Sequence, residues 1–209
     1  MTSKRMVKLP PHGAHQRIGL FGGSFNPAHE GHRQVALYAL KRLKLDWVWW
    51  LVSPQNPLKS KDETSDYAER LAFTRKLARH PKFKVTDLEQ QMGSRYTAET
   101  LRKLKKLSKA DFVWIMGADS LASLHRWHNW NEIMEGVQVA VLARPGFSMR
   151  ALESKAALRY AQKRISADRP QALAMKKPPR WAFISMPLRK ESSTALRAVA
   201  KPFHHARKF

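Results

Sequence analysis

The chain has no cysteine among its 209 residues, which removes disulfides, zinc–thiolate centres and a cysteine nucleophile from consideration. It also lacks long apolar runs. Nothing approaches the length of a membrane span, and the basic, polar stretch Met1–Gln16 has no apolar core of the signal-peptide kind. These absences predict a soluble, cytoplasmic protein without a membrane partner. Two common phosphate-binding fingerprints are missing as well: neither G-x-G-x-x-G nor the Walker pattern G-x-x-x-x-G-K-[ST] occurs. Acids are scarce, 16 against 39 lysines and arginines, for a net charge of +23. Such an excess suits a polyanion such as RNA, and small anionic nucleotides equally well. About half of it falls in residues 150–209. The charges are scattered, and no series of stacking aromatics interleaves with them. The reading is a solvated basic face, with nucleic acid not expected but left open by the charge.

Most informative among what is present is Gly22-Gly23-Ser24-Phe25-Asn26-Pro27-Ala28-His29-Glu30-Gly31-His32, directly after the apolar run Ile18–Phe21. It reads as a strand, a phosphate-binding turn and a helix. Two glycines let the backbone approach an anion closely, Asn26 is a suitable N-cap, and Pro27 suits the first helical position. A helix start favours an anionic ligand. His29 and His32, three apart, then share one face of the first turn, where imidazoles can donate to phosphate oxygens.

Further apolar runs predict strands at 17–21, 47–53, 83–86, 112–116, 137–143 and 181–185, and helical spacing is read at 33–43, 67–80, 98–107 and 151–163. Strand and helix alternate. The expected fold is α/β: a Rossmann-like, doubly wound, mostly parallel sheet with helices on both faces and ligands at the carboxyl ends of the strands. The organisation expected is a flexible basic tail, 1–16, and one domain, 17–209. Residues 56–65 and 166–179 read as the least ordered internal segments.

The pattern G-G-S-F-N-P-x-H-x-G-H resembles the fingerprint of the HxGH nucleotidyltransferases, which join a nucleoside monophosphate from an NTP to a second phosphate. Near the other end, Glu191-Ser192-Ser193-Thr194-Ala195-Leu196-Arg197 follows the last predicted strand. By itself it is a capped helix with an arginine on the next turn. It also resembles the I-S-S-T-x-x-R element of that superfamily, with Glu191 standing where an apolar residue is usual. Between the two, Gly93-Ser94-Arg95-Tyr96-Thr97-Ala98-Glu99-Thr100-Leu101, then Gly117-Ala118-Asp119-Ser120-Leu121 with Trp127 and Trp130, then Ala143-Arg144-Pro145-Gly146 are similar, in order, to the bacterial nicotinate-nucleotide adenylyltransferases.

That resemblance implies adenylyl transfer from ATP to nicotinate mononucleotide, giving nicotinate adenine dinucleotide and pyrophosphate. It implies catalytic roles for His29, His32 and Arg197. Gly22, Gly23, Ser24, Phe25, Gly117, Asp119, Ser192, Ser193 and Thr194 fall at ATP-binding positions. Lys59, Tyr96, Thr97, Trp127 and Arg144 fall at positions around the mononucleotide, Tyr96, Thr97 and Trp127 about the nicotinate ring. An indole suits stacking on an electron-poor pyridinium, and a helix start at Thr97 suits a carboxylate. No cluster of carboxylates is evident to hold a metal, so Mg²⁺ is expected to arrive on the ATP phosphates. His80, His125, His128, His204 and His205 read as surface residues. Other acceptors (nicotinamide mononucleotide, phosphopantetheine), a cytidylyltransferase, and a basic RNA-binding protein remain the alternatives, and oligomeric state is left open.

Overall fold

Every apolar run singled out above forms a strand, because each is buried on both faces of one sheet. The computed structural model describes residues 6–54, 65–143, 148–175 and 177–186. Its strands are β1 (Arg17–Gly23), β2 (Trp47–Val52), β3 (Phe83–Thr86), β4 (Asp111–Gly117), β5 (Gln138–Ala143), β6 (Arg164–Ile165) and β7 (Trp181–Ser185). The helices are α1 (Glu30–Arg42), α2 (Tyr67–Leu77), α3 (Leu88–Gln91), α4 (Thr97–Leu107), α5 (Ala118–Ser123), α6 (Trp130–Gly136), α7 (Ser148–Leu152) and α8 (Lys155–Arg159). The strands form one sheet in the order β3-β2-β1-β4-β5-β7-β6, with every pair parallel. This is the doubly wound arrangement expected. The chain winds outward from β1 to β3, then restarts at β4 on the other side of β1. The switch point lies between β1 and β4, where such sheets open a crevice at their carboxyl ends.

The period-two alternation of the strands sorts the core into two layers. Ile18, Leu20, Trp49, Leu51, Phe112, Trp114, Met116, Val139 and Val141 face one side, with Leu101 and Leu104 of α4 and Ile133 and Met134 of α6. Phe21, Val48, Trp50, Val52, Val113, Ile115, Ala140 and Leu142 face the other, covered by Val35, Ala36 and Ala39 of α1. Among the described residues no helix is long and apolar enough to cross a membrane.

Two expectations need correcting, and two segments read as loosely ordered show defined contacts. The helix after the glycine turn begins at Glu30, with His29 as its N-cap, in place of the predicted Asn26 cap and Pro27 start. Phe25 adopts φ 45°, and a turn at Asn26 and Pro27 separates it from the helix. Asn26 Oδ1 instead accepts from the Ser65 amide, 3.3 Å. Next, the helix predicted over 151–163 is broken. Ser154 takes an extended conformation and its hydroxyl accepts from the Ala157 amide at 3.3 Å, capping a new helix, α8. Thirdly, residues 6–16, read as part of a flexible tail, make specific contacts. The His12 ring bonds the Pro10 carbonyl and the Ser108 hydroxyl, each at 2.7 Å, and packs edge-on against Trp49, while Val7 and Leu9 lie on the core. Finally, 166–179 includes a 3-10 turn, Pro170–Met175, that buries Leu173 completely.

Candidate active site

A cavity of about 500 Å³ opens at the switch point. Gly22, Gly23 and Ser24, leaving β1, form one side; Trp114 of β4 lies among its lining, and Asp119, Ser120 and Ser123 come from α5. Arg95, Tyr96 and Thr97, at the entry to α4, face Arg126, Trp127 and His128 from the 3-10 turn after α5. The cavity thus joins a glycine turn to an aromatic end.

Gly22 is demanded by packing. A Cβ there would lie 2.3 Å from Trp114 Cη2, and the Trp114 side chain is buried at 2% exposure. Gly22→Ala is expected to destabilise the fold by about 1–3 kcal/mol through overpacking, read as a lower urea midpoint. An unchanged midpoint would show that Trp114 moves freely. Gly117 is constrained similarly. It precedes α5, and a Cβ there would come 2.3 Å from Asp119 Oδ1, so the Asp119 carboxylate folds back over bare backbone.

Neither His29 nor His32 lines the cavity, but both follow the strand that does. Their rings lie 3.8 Å apart between centroids, tilted by 31°, and His32 stands edge-on to Phe25 at 5.1 Å. The His29 backbone amide donates to His32 Nδ1 at 3.2 Å. A neutral imidazole with Nδ1 accepting carries its proton on Nε2, so His32 presents a fixed N–H donor. The Phe25 side chain is 3% exposed and packs on Phe21 and Trp50; it supports His32 and does not line the cavity.

The cavity therefore gathers Gly22, Gly23, Ser24, Tyr96, Thr97, Asp119 and Trp127 from the sequence-based set. Trp130 is not among the lining residues and packs edge-on against Tyr160. Lys59, Arg144, Ser192, Ser193, Thr194 and Arg197 lie outside the described residues. Among those described, no three histidine, aspartate or glutamate side chains come together as a metal-holding group.

Three residues escaped the sequence reading. His128, taken as a surface residue, stacks on Tyr96 at 4.4 Å and 29° and borders the cavity. Glu89 also borders it, 8% exposed, and burial pushes its carboxyl up to about 7, against hydrogen bonds from Ser53 and Thr100. Arg70 on α2 is 3% exposed and donates to four backbone carbonyls: Ser65, Ser24, Ser53 and Pro54. Only the neighbouring turn motifs could have hinted at these.

Residues 20–199 match the model of the family described as cytidylyltransferase-like. The chain belongs to that family. It is 53% identical over 182 residues to a probable nicotinate-nucleotide adenylyltransferase of Caulobacter sp. (strain K31), covering 87% of this chain and 96% of the relative. With the probable nicotinate-nucleotide adenylyltransferase of Ruegeria sp. (strain TM1040) it shares 49% over 181 residues, 86% and 95% of the two chains. The fold is similar to that of Plasmodium falciparum nicotinic acid mononucleotide adenylyltransferase complexed with NaAD, with a TM-score of 0.66, 18% identity, and 88% and 83% of the chains covered. The family resemblance read from the motifs and the family found by comparison agree.

Proposed function

We propose that the protein is a nicotinate-nucleotide adenylyltransferase. The 5′-phosphate of nicotinate mononucleotide attacks the α-phosphorus of ATP in line, a new P–O bond forms, and the bond to the pyrophosphate oxygen breaks. No covalent enzyme intermediate is needed. The reading rests on one observation above others, the cavity that joins the Gly22–Ser24 turn to Tyr96, Thr97 and Trp127 at the sheet's switch point. The names borne by relatives about half identical over most of the chain support it.

Such reactions are accelerated mainly by positioning and by neutralising charge on the transferred and leaving groups. Trp127 offers a face for the pyridinium ring. The first amides of α4, from Thr97 onward, have no partners within the helix and point their dipole at the nicotinate carboxylate. Backbone at Gly22–Ser24 takes phosphate, and His32 Nε2–H donates to phosphate oxygens as charge develops. Asp119 stands near the ribose. Ser192, Ser193, Thr194 and Arg197 hold the leaving phosphates in this proposal, and Lys59 and Arg144 the mononucleotide, by their motif positions alone. A divalent ion, Mg²⁺ in this proposal, would enter with ATP and would neutralise phosphate charge there.

Pyrophosphate release from Mg·ATP, with nicotinate mononucleotide, nicotinamide mononucleotide and phosphopantetheine compared at equal concentration, tests this. Strong preference for the first is expected. Preference for another acceptor would overturn the roles of Tyr96, Thr97 and Trp127, and no turnover with any would overturn adenylyl transfer.

A further inference from the structure

Glu89 is a buried acid on the cavity wall that the adenylyl transfer described above leaves unused. It ties three segments together. Ser53, just after β2, and Thr100, on α4, both hydrogen-bond its carboxyl, Thr100 Oγ1 lying 3.4 Å from Oε1. Its backbone carbonyl accepts from the Ser94 amide at 2.9 Å. The turn so held, 94–97, carries Tyr96 and Thr97.

A count of protons at Thr100 distinguishes the two states of this acid. The threonine hydroxyl has one hydrogen to give, yet two acceptors lie within reach: Glu89 Oε1 at 3.4 Å and the Tyr96 carbonyl at 3.3 Å. With Glu89 ionised, Thr100 can serve only one of them. With Glu89 protonated, the carboxyl donates to Thr100 Oγ1 and Thr100 donates to Tyr96, so both contacts hold together; the Tyr96 carbonyl keeps its bond from the Thr100 amide, 3.1 Å, in either state. Tyr96 is the N-cap of α4, the helix start assigned to the nicotinate carboxylate. An ionised Glu89 would also place a negative charge on the wall of a cavity that must admit a carboxylate and phosphates. The charge effect favours the neutral form when ligand is bound, while the hydroxyls of Ser53 and Thr100 favour the ionised carboxylate by donating to it, so burial beside the cavity decides the balance.

We propose that Glu89 is a positioning residue of the acceptor pocket that works in its protonated form, and that its ionisation weakens capture of the anionic mononucleotide. The inference rests on the adenylyltransferase reading. Tyr67 of α2 and Asp87 at the head of α3 lie near this acid, and Arg95, Asp119, Arg126 and His128 share its cavity. Among the described residues none forms an ion pair with it. Burial raises its carboxyl from the ordinary 4.5 to about 7, so both forms are accessible around neutrality. The folded state holds the proton more tightly than the unfolded chain does. The stability this contributes is complete below the ordinary value and is lost as pH rises through about 7.

The test follows KM for nicotinate mononucleotide and kcat between about pH 6 and about pH 8.5 in the wild type, Glu89→Gln and Glu89→Ala. Glutamine keeps a neutral donor and acceptor in place. The wild-type KM is expected to rise on the order of fivefold or more across this range relative to Glu89→Gln, with kcat profiles alike. Glu89→Ala is expected to show a raised KM at every pH. Titration of the substrate phosphate or of other cavity groups affects all three proteins and cancels in the comparison. Superimposable KM profiles for wild type and Glu89→Gln, with the wild type active, would overturn the inference and leave the adenylyltransferase reading intact. A wild type that does not use nicotinate mononucleotide would overturn both. Calorimetry on the wild type alone, in buffers of different ionisation heat at about pH 7.5, adds a check independent of variant folding: net proton uptake on binding the mononucleotide is expected, and its absence counts against the proposal.

Discussion

Replacing His32 with alanine is expected to lower kcat by a factor on the order of a hundred or more, as the loss of one transition-state donor typically does. The effect follows from how the ring is held. The His29 amide occupies Nδ1 at 3.2 Å, and Phe25 stands edge-on to the ring at 5.1 Å, so the Nε2–H is fixed before substrate arrives. A donor oriented in advance stabilises developing charge without reorganising at the moment of reaction. The KM values are expected to change less than kcat, because the interaction strengthens as the transition state forms. His32 also closes the N-terminus of α1, so removing its ring costs about 1 kcal/mol of helix stability. Thermal melting in parallel separates that loss from the catalytic one. A folded His32→Ala protein with near-normal turnover would remove the histidine from the chemistry.

The strands were legible in the sequence because a parallel sheet covered on both faces leaves continuous apolar runs, and Trp47–Val52 and Gln138–Ala143 are such runs. The sequence pattern could not order those strands, since order depends on which crossovers lie on which face. The start of α1 was misread for a local reason. Asn-Pro is a reasonable helix opening when judged alone, and nothing local shows that the Asn26 side chain is engaged by the Ser65 amide, leaving the cap to His29. Tyr96, Thr97, Asp119 and Trp127 could be placed in one site through motif resemblance, and the cavity brings them together. Glu89 and Arg70 were not legible. Both are charged residues in helical stretches, where solvent exposure is the ordinary outcome, and what buries them is contact with loops distant in sequence. His128 was missed for the converse reason: it is exposed, and its stacking on Tyr96 depends on a turn more than thirty residues away.

Arg70 is expected to produce the largest stability loss of any single residue named here. Its guanidinium donates through Nε to Ser65 O at 3.0 Å, through Nη1 to the Ser24 and Ser53 carbonyls, and through Nη2 to Pro54 O at 2.8 Å. These carbonyls end β1 and β2 and open the next segment, where no ladder partner remains for them. Arg70→Met keeps the length and apolar stem but leaves four carbonyls without these donors. The expected cost is on the order of 3 kcal/mol or more, since a buried polar group loses its full desolvation compensation when its partner is removed. Arg70→Lys should recover only part of this, because one ammonium cannot span acceptors arranged around a planar fork. Urea denaturation measures both; a loss below about 0.5 kcal/mol for methionine, the size of an ordinary surface substitution, would refute the clamp. The same bonds bear on binding. Ser24 and Ser53 border the cavity, and with their carbonyl oxygens turned to a buried cation, their negative ends are neutralised beside the site proposed for phosphates. Arg70→Lys, where it still folds, is therefore expected to raise KM for ATP more than KM for the mononucleotide.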